Sequence, residues 1–134
     1  MTRVTNEAGD REGPILVVDD DPHLREALAA LLAAEGHRVL LAADGPTARA
    51  LTLAHAPSLV VVERLAGRRG VAALRALRGA LEDATPALPL PALLLTDAPL
   101  AGVEDAAGLE KPFNVRDLLL AVERYRRRVP REAS

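Results

Sequence analysis

The chain predicts an α/β fold, a parallel sheet with helices packed on both of its faces. Three observations carry this. Ile15-Leu16-Val17-Val18 and Leu59-Val60-Val61-Val62 are aliphatic runs of the kind that strands buried on both faces present. The segments between and after them repeat their apolar residues at helical spacing. Strand-like and helix-like segments alternate along the chain, the pattern of β-α-β crossovers.

In chain order, Met1 to Gly13 is polar and reads as a flexible leader. The first strand runs into Asp19-Asp20-Asp21-Pro22, where an Asp can cap a helix whose first position is Pro. Leu24, Ala27, Leu28, Leu31 and Leu32 carry that helix to Glu35, and Gly36 ends it. Arg38 to Ala43 is a second strand, and Asp44-Gly45-Pro46 opens a second helix that reaches His55. After Pro57, the strand Leu59 to Val62 ends in Glu63-Arg64 and a loop through Gly67-Arg68-Arg69-Gly70. A third helix carries Val71, Leu74, Leu77 and Leu81, and Ala84 to Pro91, with three prolines, is a loop. Ala92 to Leu95 is a fourth strand ending at Thr96-Asp97. Ala98 to Gly108 is too broken by Pro and Gly for a long helix, and Leu109 to Lys111 forms a short fifth strand before Pro112. Asn114 caps a last helix with the apolar stripe Val115, Leu118, Leu119, Val122 and Tyr125, and Arg126-Arg127-Arg128 in its final turn.

Composition narrows the function classes. A chain of 134 residues is one domain, with a core of Ala, Leu and Val because it holds one Phe, one Tyr and no Trp. Few aromatics and a net charge of −2 argue against direct nucleic-acid binding. The absence of Cys removes disulfides, thiolate metal sites and thiol nucleophiles. No apolar run approaches membrane-spanning length and the polar start is no signal peptide, so a soluble cytoplasmic protein without membrane contact is expected. His23, His37 and His55 lack ligand-like spacing, so zinc is not expected.

Right-handed crossovers bring every carboxyl strand end to one edge. Asp19, Asp20, Glu63, Thr96 and Lys111 gather there. The carboxylates Asp20, Asp19 and Glu63 are the candidate ligands of a hard divalent cation, Mg²⁺ above others. The alternative is that Asp19 and Asp20 join Asp21 as a solvated helix cap. Lys111 is the single lysine among 17 basic residues, and a compact point charge suits a salt bridge into an acidic pocket. Arg68 and Arg69 read as solvated loop charges near the pocket mouth, and Asp97 as a weaker substitute acid.

These residues resemble a family. Ile15-Leu16-Val17-Val18-Asp19-Asp20-Asp21-Pro22, Ala42-Ala43-Asp44-Gly45, Pro57-Ser58-Leu59-Val60-Val61-Val62, Leu94-Leu95-Thr96 and Lys111-Pro112-Phe113 stand in the order and spacing of the receiver domains of bacterial two-component response regulators. The resemblance covers residues 14–128, leaving 1–13 as leader and 129–134 as a C-terminal tail. It implies a flavodoxin-like, doubly wound (βα)5 fold with five strands in the order 2-1-3-4-5. It further implies Mg²⁺-dependent phosphoryl transfer from a histidine kinase to an Asp ending strand 3, and a cis bond before Pro112.

The chain departs from that pattern where phosphorylation is sensed. Glu63 stands at the phosphoacceptor position. Arg64 to Gly70 is one residue shorter than the family's usual stretch and lacks its Pro and its Asp, the fourth helix is short or missing, and Gly108 replaces the common aromatic switch residue. A Glu carboxylate lies one methylene further out, and a misplacement of about 1 Å can cost on the order of 100-fold. As an imitation of phospho-Asp, Glu63 offers about one charge against nearly two. The expectation is therefore a degenerate, non-enzymatic pseudo-receiver that acts by protein-protein interaction, independently of phosphorylation. Its partner would be a histidine kinase, an output protein, or a second copy in a homodimer. Two other readings stay open, an Mg²⁺-dependent phosphoacceptor using a non-standard acidic residue, and a small anionic ligand at the altered pocket.

Overall fold

The computed structural model describes residues 13–84, 90–100 and 102–127. Nearly all of the leader, the tail, Arg128 and most of the proline-rich loop lie outside the described residues. Among the described residues, four α-helices and six strands follow one another as β1 (Ile15–Asp19), α1 (Pro22–Ala34), β2 (Val39–Ala42), α2 (Gly45–His55), β3 (Leu59–Leu65), β4 (Arg68–Arg69), α3 (Gly70–Ala80), β5 (Ala92–Thr96), β6 (Ala106–Glu110) and α4 (Val115–Tyr125). The main sheet is parallel in the order β2-β1-β3-β5-β6, with β4 pairing antiparallel to β3. Leaving β4 aside, this is the expected 2-1-3-4-5 order.

Strand periodicity divides the core in two. Leu16, Val18, Val60, Val62 and Leu94 face one side, beneath Ala48 of α2 and Ala73, Leu74 and Leu77 of α3. Ile15, Val17, Val61, Leu93 and Leu95 face the other, beneath Leu28 and Leu32 of α1 and Leu118 and Val122 of α4. Each fully buried Leu or Val contributes roughly 1.5–3 kcal/mol against exposure. Three helix starts carry side-chain caps. Asp21 accepts from the His23 and Leu24 N–H groups, Asp44 from Thr47, and Asn114 forms a capping box with Asp117.

Four expectations need correction. Strand 3 does not stop at Val62 but runs on to Leu65, and the segment read as a loop is a hairpin. Ala66 and Gly67 form its two-residue turn with φ of 54° and 74°, the positive values that a type I′ turn requires. The last strand begins at Ala106, not Leu109, and pairs with β5 from Ala92↔Ala106 to Thr96↔Glu110. Ala and Gly are weak strand formers, so only the ladder itself defines this element. In α4, Val115 and Tyr125 lie outside the core, at 46% and 41% exposure. Finally, α4 ends at Tyr125, so Arg126 and Arg127 follow its last turn. The Arg127 N–H donates to the Ser58 carbonyl at 2.7 Å, fastening the helix end to the start of β3.

None of the described residues between Thr96 and Ala106 is helical. Leu100 and Val103 cover the sheet there, and Arg78 of α3 donates to the carbonyls of Glu104 and Asp105 at 2.5 and 2.9 Å. A Cβ on Gly108 would meet the Leu100 Cβ at 2.8 Å, so the short connection lies directly over that glycine.

Candidate functional site

The carboxyl ends of β1, β3, β5 and β6 lie at one edge of the sheet, and each contributes a polar side chain. β1 delivers Asp19 and Asp20 through a register shift between Val18 and Asp19, which sets Asp19 opposite Arg64. Asp19 is fully buried. Its Oδ1 accepts the Asp21 N–H at 2.9 Å, its carbonyl accepts from Arg25 Nη1 at 2.8 Å, and its Oδ2 is buried with no partner. Burial raises its pKa above the ordinary value. The Asp21 N–H works against that rise, and the charges of Glu63, Asp20 and Asp21 add to it.

Asp20 is held by the hairpin. Its Oδ2 accepts the Gly67 N–H at 2.8 Å, its Oδ1 lies 3.8 Å from Arg64 Nε, and its own N–H donates to the Arg64 carbonyl at 3.1 Å. Glu63 is buried and its Oε2 is ion-paired and hydrogen-bonded to Lys111 Nζ. Lys111 precedes a cis peptide bond to Pro112, and its N–H donates to the Thr96 carbonyl at 2.8 Å. Thr96 is buried, with its Oγ1 accepting the Ala98 N–H at 3.2 Å, while Asp97 is exposed. A cavity of about 160 Å³ opens between these elements, lined among others by Glu63, Arg69, Thr96, Asp97 and Lys111.

Each of the three pocket carboxylates is thus engaged differently: Glu63 by Lys111, Asp20 by Arg64 and Gly67, Asp19 by a single backbone N–H. Hard divalent cations require several oxygens aimed at one point. Among the described residues no group of three or more His, Asp or Glu side chains is arranged that way. Mg²⁺ needs only one or two carboxylates besides water, and Asp20, Asp19 and Glu63 are the residues that would hold it. Arg68 and Arg69 form β4 on the exposed hairpin arm, and His23, His37 and His55 stay apart on α1, after α1 and on α2. Arg64 is the site residue that sequence reasoning missed. An Ala-Gly pair between two extended segments was the available signal for the hairpin, since X-Gly favours two-residue turns.

A parallel α/β sheet with an acidic pocket, a Thr and a cis-linked Lys-Pro at its carboxyl edge defines a receiver-type signalling module. Residues 15–123 match the model of the response regulator receiver domain, and the chain belongs to that family. It is 36% identical over 121 residues to the response regulator MprA of Mycobacterium tuberculosis, covering 88% of this chain and 52% of that protein. The DNA-binding response regulator MtrA of Mycolicibacterium smegmatis is 34% identical over 117 residues, covering 85% and 50%. The chain therefore spans about half the length of these curated relatives. Among solved structures, the receiver domain of NtrX from Brucella abortus matches with a TM-score of 0.59 and 28% identity over 83% of this chain and 96% of that one. The chemotaxis protein CheY4 of Vibrio cholerae matches with a TM-score of 0.65 and 24% identity, over 84% and 97%, a likeness of fold. Among the described residues no helix is long and apolar enough to cross a membrane.

Proposed function

We propose that this receiver domain is a pseudo-receiver, a cytoplasmic signalling module that acts by protein-protein contact and is not switched by aspartyl phosphorylation. The observation that carries the reading is Glu63, buried on β3 and bound to Lys111, at the position that the resemblance gives to the phosphoacceptor. A nucleophilic carboxylate needs a free oxygen in line with a phosphoryl donor and a metal to neutralise the incoming charge. Glu63 starts one methylene too far out and is already committed to a cation. Asp20, the other candidate acceptor, is engaged on both oxygens. The contact surface consistent with this reading is the β6 edge with the outer face of α4, where Val115, Leu120 and Tyr125 are exposed. Its partner would be a kinase, an output protein or a second copy. Anion binding is less favoured, because the cavity sets Arg69 and Lys111 against Glu63 and Asp97 and carries no net positive charge.

The test is incubation with Mg²⁺ and a small-molecule phosphodonor, followed by intact-mass measurement. The reading predicts no phosphoryl adduct on this chain while a conventional receiver in the same tube is labelled. A stoichiometric adduct on any carboxylate would overturn it.

A further inference from the structure

The β3–β4 hairpin does more than extend the sheet. Arg64 pairs with Arg69 across the hairpin, and the buried Leu65 anchors it from the core side. The positive φ values of Ala66 and Gly67 turn the chain back within two residues. That tight return aims the Gly67 N–H at Asp20 Oδ2 and holds the Arg64 guanidinium beside Asp20 Oδ1. Arg64 Nε is buried and has no hydrogen-bond partner, so its role towards Asp20 is that of a fixed charge. A guanidinium fixed to the backbone cannot diffuse away, and it repels any dication approaching the same carboxylate.

We propose that Arg64 is a tethered counter-ion for Asp20, and that with the Gly67 turn it plugs the acidic pocket against divalent cations. The plug supplies one positive charge where a dication would supply two, and the buried Asp19 Oδ2 is left without a hydrogen-bond partner. The inference concerns the pocket of the proposed pseudo-receiver and rests on that reading for its functional meaning.

Mn²⁺ serves as the probe, through paramagnetic broadening of amide signals in the whole chain with no phosphodonor present. The wild-type chain should show only weak, unsaturable broadening at its surface carboxylates. Arg64→Met should show saturable broadening centred on the Asp20 and Gly67 amides, with an apparent affinity about tenfold higher or more. Adding Asp20→Asn to that variant should abolish it. Arg64→Gln, which keeps a polar side chain and loses the charge, repeats the test should the Met variant unfold. Saturable binding at Asp20 in the wild type would overturn the plug, as would two folded neutral variants that bind no tighter than wild type. Because no phosphodonor is used, a phosphoryl adduct on a chain with a closed pocket would sink the pseudo-receiver reading alone.

Discussion

Lys111 and Glu63 are a pair in which each residue needs the other. Glu63 keeps 7% of its side chain exposed and Lys111 keeps 34%, so the pair falls between a surface ion pair and a buried one. Lys111→Met would leave the carboxylate buried and unpaired, and the expected loss is about 2 kcal/mol, measured by urea denaturation. Adding Glu63→Gln should recover about half of it, because a neutral amide tolerates the lost partner. Asp19 works in the opposite direction. Its folded pKa lies above the ordinary 3.8, so the folded chain holds the proton more tightly than the unfolded chain. Its contribution to stability is full below 3.8 and is lost as pH rises through the folded value. Asp19→Asn is therefore expected to stabilise the domain at neutral pH, with a gain that shrinks towards 3.8, as thermal melts across pH would record. Exposed Asp44 has the contrary sign, since its Thr47 hydrogen bonds lower its pKa and its contribution fades as pH falls. The acidic cluster and the single lysine were legible in the sequence. The Arg64 contact was not, because a side chain's direction on a strand depends on register, and a register shift intervenes just before Asp19.

At the scale of elements, legibility followed local chemistry. Asp21, Asp44 and Asn114 announced three helix starts because capping is a short-range hydrogen bond that the sequence carries whole. The hairpin beyond Val62 and the first residues of β6 escaped because neither has an alternating or β-branched pattern. Both are defined by partners distant in sequence or by backbone signs. The hairpin gives a direct prediction. Ala66 sits at φ 54°, a region that costs a residue with a Cβ roughly 1–2 kcal/mol. Ala66→Gly should stabilise the domain by about 1 kcal/mol after the added freedom of the unfolded chain is subtracted, visible as a higher denaturation midpoint. Gly108 predicts the reverse. A side chain there strikes the Leu100 Cβ, so Gly108→Tyr should destabilise by about 1–3 kcal/mol, and Leu100→Gly in the same chain, which removes that Cβ, should relieve part of that. Amide exchange in residues 102–105 should rise in the single variant.

For the molecule as a whole, the sheet order followed from alternation and crossover handedness, which also bring Asp19, Asp20, Glu63, Thr96 and Lys111 to one edge. On the proposed pseudo-receiver reading, the internal cations of that edge separate this domain from one built to be charged and discharged. Lys111 pairs with Glu63 and Arg64 stands beside Asp20, the two carboxylates proposed for the phosphoacceptor position and the metal. The connection through Leu100 lies directly over Gly108, 2.8 Å from where a Cβ there would stand. The measurement that tests this most directly is an amide NMR titration of the chain with Mg²⁺ and then with beryllofluoride. The account predicts signals at Asp20, Glu63, Thr96 and Lys111 that stay in place through both additions. Saturable shifts that begin at Asp20 with Mg²⁺ and spread to Thr96 and Lys111 with beryllofluoride would contradict it.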